Sequence, residues 1–175
     1  MTEPILIRVD EMDNETGTIS KSEAHRSGIL HRAFSIFLFT TDGNWILQRR
    51  AKHKYHSAGL WSNTCCGHPN KGEETLPAAQ DRLLFEMGMR ATLSPAFKIL
   101  YRSVLENGLI EHEYDHIFTS ITDEIPVINK DEVSEWRAIS FEKLDDEIKC
   151  HPESFTEWFK IIYLRLQDLP SKSNY

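Results

Sequence analysis

The sequence predicts a single domain of the α/β (α+β) class, with a mixed, mostly antiparallel β-sheet sandwiched between helices. Two hairpin signals lie on either side of an amphipathic helix, and a second amphipathic segment lies near the end of the chain. At 175 residues the chain is long enough to bury a core without disulfides or a structural metal. Because no linker or internal repeat divides it, we expect one domain over residues 1–175.

The first predicted strands form a hairpin. An apolar run rich in aromatic residues extends from Arg32 to Thr40, and a second run extends from Trp45 to Gln48. Asp42-Gly43 stands between the runs and favours a tight turn. The following stretch, from Ala51 to Asn63, is rich in Lys, His and Gly and predicts a loop.

A helix is expected after this loop. Thr75 is its predicted N-cap, the helix continues to about Met87, and Gly88 is placed to stop it in the left-handed conformation. Its apolar stripe consists of Leu76, Ala79, Leu83 and Met87.

The second half of the chain predicts three more strands and a helix. Strands at about Phe97–Leu105 and Leu109–Thr119 flank Asn107-Gly108, which is the strongest short hairpin signal. A further strand is expected near Glu132–Ile139, and an amphipathic helix from Pro152 to Leu169.

Composition narrows the classes of partner. The formal net charge of -7 argues against nucleic acid, whose phosphates attract basic surfaces. The chain has no apolar run of membrane-spanning length, and its N-terminus lacks the pattern of a signal peptide. Its three cysteines include no CxxC pair, so free thiols in a reducing cytoplasm are expected. A small anionic ligand is compatible with this negative net charge, since it needs only a local group of cations or a bound metal.

Histidines and carboxylates form the first candidate site. His25 and His31 precede the first long strand, and His68 follows the cysteine pair. Glu111 and Glu113 stand two apart on a strand and therefore face the same side. Three imidazoles and two carboxylates suit a divalent ion such as Zn, Mn or Fe(II). Scattered surface histidines beside an ordinary acidic strand edge would give the same pattern.

The segment from Asn63 to Pro69 contains the second candidate. If it is extended, Cys66 and His68 share a face, and Cys65 points the other way. Cys66 is thus the better candidate for acid, base or nucleophile chemistry, and Cys65 the better candidate for packing. A buried cysteine that only fills space is the alternative.

Several charged residues and one tryptophan have both a structural and a functional interpretation. Arg82 and Glu86 stand at i and i+4 on the helix, which indicates a salt bridge or a site for phosphate and Mg²⁺. Trp158 belongs to the apolar stripe of the last helix, but an indole face also stabilises cations. The remaining candidate phosphate-binding cations, which would otherwise be solvated surface charges, are Lys21, Arg50 and Lys54.

Taken together and in this order, these features resemble the type I isopentenyl-diphosphate isomerases, whose fold belongs to the Nudix superfamily. The similarity runs from about Lys21 to Trp158. Its most specific parts are the run H-R-A-F-S-I-F-L-F that starts at His31, the segment W-S-N-T-C-C-G-H-P that starts at Trp61, and E-x-E at Glu111. The resemblance implies a Nudix-like mixed sheet between helices.

The Nudix signature itself is degraded. Its spacing is kept at Gly67, Glu73, Glu86 and Gly88. However, Asp81-Arg82 replaces its Arg-Glu pair, and Phe85-Glu86 replaces its Glu-Glu pair. Since Nudix hydrolases use these carboxylates to hold Mg²⁺, hydrolysis is expected to be disabled.

The resemblance implies an enzyme of isoprenoid biosynthesis that interconverts isopentenyl diphosphate and dimethylallyl diphosphate through a carbocation. Cys66 and Glu113 would transfer the two protons, and Tyr101 would assist Glu113. Trp158 would face the carbocation. The implied ligands of one Zn, Mn or Mg ion are His25, His31, His68, Glu111 and Glu113. The implied diphosphate site consists of Glu86, which binds Mg²⁺, and of Lys21, Arg50, Lys54 and Arg82.

Two geometric conditions follow from these roles. The chain must bend tightly between His25 and His31, and Gly28 makes that bend feasible. A two-residue turn at Asn107-Gly108 would pair Arg102 with Glu113 and leave Tyr101 on the opposite face. We therefore expect a bulge that shifts the pairing by one residue.

The resemblance also implies a small prenyl diphosphate as the partner, with no nucleic acid or membrane, and a monomer or weak homodimer. Two other functions remain open: a Nudix-type diphosphate hydrolase, and a non-catalytic domain that the metal stabilises.

Overall fold

One mixed, curled sheet organises the chain. The structure, a computed structural model, describes residues 3–167, and its strands hydrogen-bond into a single sheet. The strands of these residues are β1 (Ile5–Val9), β2 (Glu15–Ser20), β3 (His31–Phe39), β4 (Trp45–Arg50), β5 (Trp61–Ser62), β6 (Cys65–Gly67), β7 (Ser94–Val104), β8 (Ile110–Ile121) and β9 (Val133–Ile139). The helices are α1 (Lys21–Ser27), α2 (Thr75–Met87), α3 (Phe141–Cys150) and α4 (Glu157–Gln167).

Strand β3 is the centre of the sheet. It pairs in parallel with β8 along its whole length, from His31 opposite Glu113 to Phe39 opposite Ile121. It also pairs antiparallel with β1, β4 and β6, and β8 continues the sheet to β7. This arrangement brings the residues around His31, Cys66 and Glu113 to one end of β3.

Helices cover both faces of the sheet. Alternate residues of β3, such as Phe34 and Ile36, pack towards α2 together with Cys65. The residues between them face the other side, where Phe37 packs with Phe159 of α4. Because both faces of β3 are buried, its sequence is a continuous apolar run rather than an alternating one. The predicted mixed sheet between helices is confirmed.

Helix α2 has the predicted length but a different N-cap. Glu74, not Thr75, is the residue with extended backbone before the first turn, and its side chain makes no capping hydrogen bond. Pro77 at the third helical position lacks the N–H that a cap would bind. Gly88 ends the helix as predicted, with φ 66° and its N–H donating to the carbonyl of Leu84.

The link between β7 and β8 differs from the predicted two-residue turn. A one-turn 3₁₀ helix, Glu106–Gly108, joins the strands, and Asn107 adopts φ 67°. The Leu105 N–H donates to the Leu109 carbonyl at 2.7 Å. This three-residue link, rather than a bulge within the strands beside the turn, shifts the pairing by one residue and places Tyr101 opposite Glu113.

The terminal helix is shorter than predicted. Pro152–Ser154 forms a separate 3₁₀ turn, and Phe155 is extended and bridges to Trp61, so α4 begins only at Glu157. The predicted end at Leu169 lies outside the described residues. No helix within residues 3–167 is long and apolar enough to cross a membrane.

Candidate active site

A cavity of about 600 Å³ opens at the end of the sheet where β3, β6 and β8 meet. Most of the candidate residues from the sequence line it: Lys21, Arg50, Lys54, Cys66, His68, Arg82, Glu86, Glu111, Glu113 and Trp158. The other three, His25, His31 and Tyr101, are buried directly behind its wall, in contact with Glu111 or Glu113. The structure thus brings together all the candidates in one region.

The histidine and carboxylate candidates converge at the inner end of the cavity. One nitrogen or oxygen from each of five residues lies within 4.8 Å of the corresponding atoms of the others: His25, His31, His68, Glu111 and Glu113. These residues come from α1, β3, the segment after β6, and β8. Such a set of N and O donors fits a divalent cation.

Hydrogen bonds to the backbone orient two of the imidazoles. His25 Nδ1–H donates to the Lys21 carbonyl at 2.8 Å, and His31 Nδ1–H donates to the Ile29 carbonyl at 2.7 Å. Each ring therefore points its Nε2 atom to the centre of the cluster. This is the arrangement by which metal-binding histidines are usually fixed.

Three of the candidate ligand atoms lack hydrogen-bond partners. His25 Nε2, His31 Nε2 and Glu111 Oε2 are buried without any partner, although His25 Nε2 lies 3.0 Å from Glu111 Oε2. Buried polar atoms rarely remain unpaired unless an ion or water meets them. The residues therefore fit a divalent metal, and several metals satisfy this donor set.

Gly28 produces the tight bend between the two histidines. It ends α1 with φ 63° and ψ 38°, and a Cβ atom there would meet Ile110 at 3.0 Å. The ring centroids of His25 and His31 lie 5.1 Å apart. The expected bend at Gly28 is confirmed.

Glu113 is held from several sides. Tyr101 donates its hydroxyl proton to Glu113 Oε2 at 2.5 Å, and His68 Nε2 lies 2.7 Å from Oε1. Burial by itself would raise the pKa of Glu113, but the neighbouring His31 and His68 imidazoles lower that pKa well below the usual range. The carboxylate is therefore charged, and the three-residue β7–β8 link brings Tyr101 to it.

The two adjacent cysteines point to opposite faces of the sheet. Cys65 is fully buried beside α2, whereas Cys66 lines the cavity opposite Ser35 of β3. Burial raises the pKa of the Cys66 thiol to about 12, so the sulfur keeps its proton at neutral pH. The difference predicted from strand alternation is confirmed.

A second group of charged residues also lines the cavity. Arg82 Nη2 lies 2.5 Å from Glu86 Oε1 and 2.6 Å from Glu132 Oε2, and Lys54 also pairs with Glu132. Gln48 donates its side-chain amide to Glu86 Oε2 at 2.8 Å. Burial lowers the pKa of Lys21, which lines the same cavity.

Trp158 belongs both to the core and to the cavity wall. Its indole N–H donates to Ser62 Oγ at 2.9 Å, which fixes the orientation of the ring. The guanidinium carbon of Arg50 lies 5.1 Å from the ring centroid. Trp158 packs with Phe155 and Phe159 on the α4 side of the sheet.

Sequence reasoning missed several residues around the cavity. His56 is buried within the predicted loop, and burial followed by the charge of Arg50 lowers its pKa to about 2. Asp115 is fully buried, its Oδ2 atom accepts a hydrogen bond from Ser35 Oγ at 2.8 Å, and burial raises its pKa. Its i, i+2, i+4 spacing with Glu111 and Glu113 was a usable signal. His56 carried none, because loop residues have no periodicity, and Glu132 was placed at the start of a predicted strand but lies in the turn before β9.

Comparisons with known proteins agree with this geometry. The NUDIX domain model matches residues 29–159. The isopentenyl-diphosphate Delta-isomerase of Pectobacterium atrosepticum is 49% identical over 96% of this chain and 93% of its own length. Isopentenyl-diphosphate Delta-isomerase 2 of Photorhabdus laumondii is 48% identical over 94% of each chain.

A solved structure shows the same fold. The crystal structure of DR0079 from Deinococcus radiodurans covers 91% of this chain and 97% of its own, with a TM-score of 0.75 and 18% identity. The family model and the relatives together show the family. The chain belongs to the NUDIX family and, within it, to the isopentenyl-diphosphate Delta-isomerases.

Proposed function

We propose that Cys66 and Glu113 are the two proton-transferring groups with which the chain interconverts isopentenyl diphosphate and dimethylallyl diphosphate. The observation that carries the proposal is that both residues border one cavity, and that this cavity is also bordered by the histidine and carboxylate cluster and by several cationic side chains. The names of the relatives agree with this substrate.

The reaction requires two acid/base groups. Protonation of the terminal alkene carbon leaves a tertiary carbocation, and loss of a proton from the allylic carbon on the other side moves the double bond. Neither carbon is activated, so both groups must be positioned within a cavity from which water is excluded. A cysteine and a glutamate on different strands, β6 and β8, meet this requirement.

Tyr101 supports Glu113 in this mechanism. Its hydroxyl donates to Glu113 Oε2, while His68 lies against Oε1. Both contacts stabilise the carboxylate and fix its direction relative to the cavity. The metal, held by His25, His31, His68, Glu111 and Glu113, would supply positive charge that tunes the proton affinity of this carboxylate.

The diphosphate group is proposed to bind among the cationic side chains of the cavity. These are Lys21, Arg50, Lys54 and Arg82, and the two arginines offer paired donors to phosphate oxygens. Glu86 would hold Mg²⁺ together with the diphosphate. In the structure Arg82 already lies against Glu86, so the two residues are adjacent before any substrate binds.

Trp158 is proposed to stabilise the carbocation. Its ring lines the cavity and is fixed by the bond to Ser62. A cation over a desolvated indole face gains about 2 kcal/mol. Exclusion of water from the reacting carbons would also keep the cation from being trapped as an alcohol.

Hydrolysis of the diphosphate is the competing activity. In place of a signature glutamate, Arg82 places its guanidinium between Glu86 and Glu132, and Phe85 replaces another glutamate. The negative charge available to Mg²⁺ ions is therefore smaller than a hydrolase needs.

In the experiment, the protein is incubated with isopentenyl diphosphate and Mg²⁺. Proton NMR spectra follow the alkene, and a separate assay measures the amount of inorganic phosphate released. The proposal predicts dimethylallyl diphosphate without phosphate release. Phosphate release from an unchanged alkene would indicate a hydrolase. An unchanged substrate with the metal bound would favour a non-catalytic domain that the metal stabilises.

We further propose that the protein works in the cytoplasm as a monomer or weak homodimer, with a prenyl diphosphate as its partner and without nucleic acid or membrane. The net charge of -7 supports the absence of nucleic acid as a partner. The free thiols of Cys65, Cys66 and Cys150 support the cytoplasm. Sedimentation velocity over a range of protein concentrations tests the oligomeric state.

A further inference from the structure

His56 is a buried histidine inside a loop whose neighbouring residues His53 and Tyr55 are exposed. The loop, residues 51–60, connects β4 to β5 and passes over the cavity. His53 and Tyr55 of this loop are exposed, whereas the exposed fraction of His56 is 6%. A buried polar side chain in a surface loop costs free energy unless it gains partners, so its surroundings need an explanation.

The ring of His56 lies between the histidine and carboxylate cluster and Trp158. Its plane stacks on the His25 ring, with centroids 5.9 Å apart and planes 28° apart. Its Nε2 atom lies 3.5 Å from Glu111 Oε1. Its centroid is 5.8 Å from that of Trp158, with the two rings nearly perpendicular. A single side chain thus contacts two candidate metal ligands and the residue proposed to face the carbocation.

Backbone contacts hold this part of the loop in place. Arg50 Nη2 donates to the His56 carbonyl at 3.3 Å, and the Ser57 N–H donates to the Glu106 carboxylate. Arg49 Nε donates to the Gly59 carbonyl at 2.8 Å. Because these bonds hold the backbone at residues 56, 57 and 59, the position of the His56 ring is built into the fold.

The two oxygens of Glu111 have different environments. Oε2 lies 3.0 Å from His25 Nε2 inside the cluster, and Oε1 faces His56. His56 Nδ1 lies 3.5 Å from Ser57 Oγ, so Nδ1 can accept from that hydroxyl while Nε2 carries the ring proton. In this tautomer the protonated Nε2 atom lies 3.5 Å from the outer oxygen of Glu111.

We propose that His56 is a positioning residue of the metal centre, which orients the Glu111 carboxylate through Nε2–H and supports the Trp158 ring through its edge. The proposal deepens the proposed function, because it concerns the same site. Side chains that hydrogen-bond to metal ligands contribute about 10–100-fold to metal affinity or activity when they are present.

The test separates the donor of His56 from its volume. His56→Phe keeps a planar ring but removes the donor, and His56→Gln keeps an N–H donor at a similar distance from Cα. The matched control is His53→Phe, the same substitution at an exposed position of the same loop. Each protein is stripped of metal, and its Zn²⁺ affinity is measured by competition with a chelating dye, without substrate.

We expect His56→Phe to weaken Zn²⁺ binding about 10–100-fold, and His56→Gln and His53→Phe to stay within about threefold of the unmodified protein. In the isomerase assay, kcat of His56→Phe should fall while KM for isopentenyl diphosphate stays nearly constant. Equal Zn²⁺ affinity in His56→Phe and the unmodified protein would overturn the proposal. Because the binding assay needs no turnover, this outcome is distinct from a lack of isomerase activity.

Discussion

At the scale of single residues, the register between β7 and β8 places the Tyr101 hydroxyl against Glu113, the proposed proton-transferring carboxylate. Tyr101→Phe removes only the oxygen that donates to Glu113 and leaves the ring in the core. We expect kcat to fall about 10–100-fold, because a hydrogen bond to the proton-transferring carboxylate is lost. KM should change little, since Tyr101 does not line the cavity. Steady-state kinetics with isopentenyl diphosphate measure both.

Tyr163→Phe is the control for this prediction. Tyr163 is also buried, and its hydroxyl donates to Asp145 at 3.0 Å on the α3–α4 side. Both substitutions should cost about 1–2 kcal/mol of stability. Only Tyr101→Phe should lower kcat, and an equal effect of the two would contradict the role of Tyr101.

Single residues were predictable where a simple periodicity applied. Strand alternation separated Cys65 from Cys66, and the i, i+2 rule placed Glu111 and Glu113 on one face. His56 and Glu132 lie in loops, where side-chain direction depends on backbone angles that the sequence pattern does not reveal.

At the scale of elements, the end of α2 makes a stability prediction. Gly88 has φ 66°, and a Cβ atom there would lie 2.4 Å from the Val127 carbonyl oxygen. Gly88→Ala should therefore cost about 2–4 kcal/mol, through both backbone strain and the steric clash. Urea unfolding measures this loss.

Gly43→Ala separates the two causes. Gly43 also has a positive φ, 80°, but nothing lies within 4 Å of its Cβ position. It should lose only about 1 kcal/mol. If both variants lost the same amount, the close approach of Val127 to α2 would be contradicted.

The β1–β2 hairpin makes a prediction about pH. Asp13 at its turn binds Arg32 at 2.7 Å, Lys98 at 2.8 Å and His116 at 2.9 Å. Burial would raise the pKa of Asp13, but hydrogen bonds from Lys98 and Arg32 hold it below its ordinary 3.8. A lowered pKa stabilises the fold above about pH 3.8, and this contribution is lost as the pH falls through the folded-state pKa.

Asp13→Asn should therefore cost about 1 kcal/mol at pH 7, a modest value because solvent partly screens the site. The difference should shrink towards zero in acid. Asp42→Asn, at an exposed turn, is the control and should change little at either pH. A loss for Asp13→Asn that did not depend on pH would contradict the ionic role.

Elements with strong local signals were predictable, and the others were not. The long apolar strand β3 and helix α2, which Gly88 ends, were found close to their observed limits. Strands β1 and β2 and helices α1 and α3 were missed, because they are short, and their stability comes from packing on the sheet rather than from propensity. The site depends on α1, which carries His25.

At the scale of the whole molecule, the histidine and carboxylate cluster joins distant parts of the chain. His25, His31 and His68 meet Glu111 and Glu113 across the sheet, with buried polar atoms unpaired. Removal of the metal with a chelator should lower stability by about 2.7 kcal/mol if the ion had been present at 100-fold its Kd. That loss corresponds to a Tm decrease of roughly 5–10 °C.

Calorimetry with and without Zn²⁺ or Mn²⁺ measures this effect. His31→Ala should abolish most of the response of Tm to the metal. An unmodified protein whose Tm does not respond to any divalent ion would contradict the metal centre.

The layered architecture was predictable, but the parallel pairing of β3 with β8 was not. Hairpins are visible in local sequence, whereas β3 and β8 are separated by about 80 residues in the chain. This pairing aligns His31 with Glu113, and the β6 pairing aligns Ser35 with Cys66. Local sequence patterns therefore could not predict that these residues lie together. Only the family resemblance implied it, and the structure shows it.

The most direct test of the central claim follows isopentenyl diphosphate by proton NMR in D₂O, with Mg²⁺ and with the unmodified protein, Cys66→Ala and Cys65→Ala. The unmodified protein and Cys65→Ala should form dimethylallyl diphosphate that carries deuterium, although Cys65→Ala should be less stable because it leaves a cavity in the core. Cys66→Ala should lose about 10²–10⁴-fold in rate. Conversion by Cys66→Ala at the unmodified rate would contradict proton transfer by Cys66.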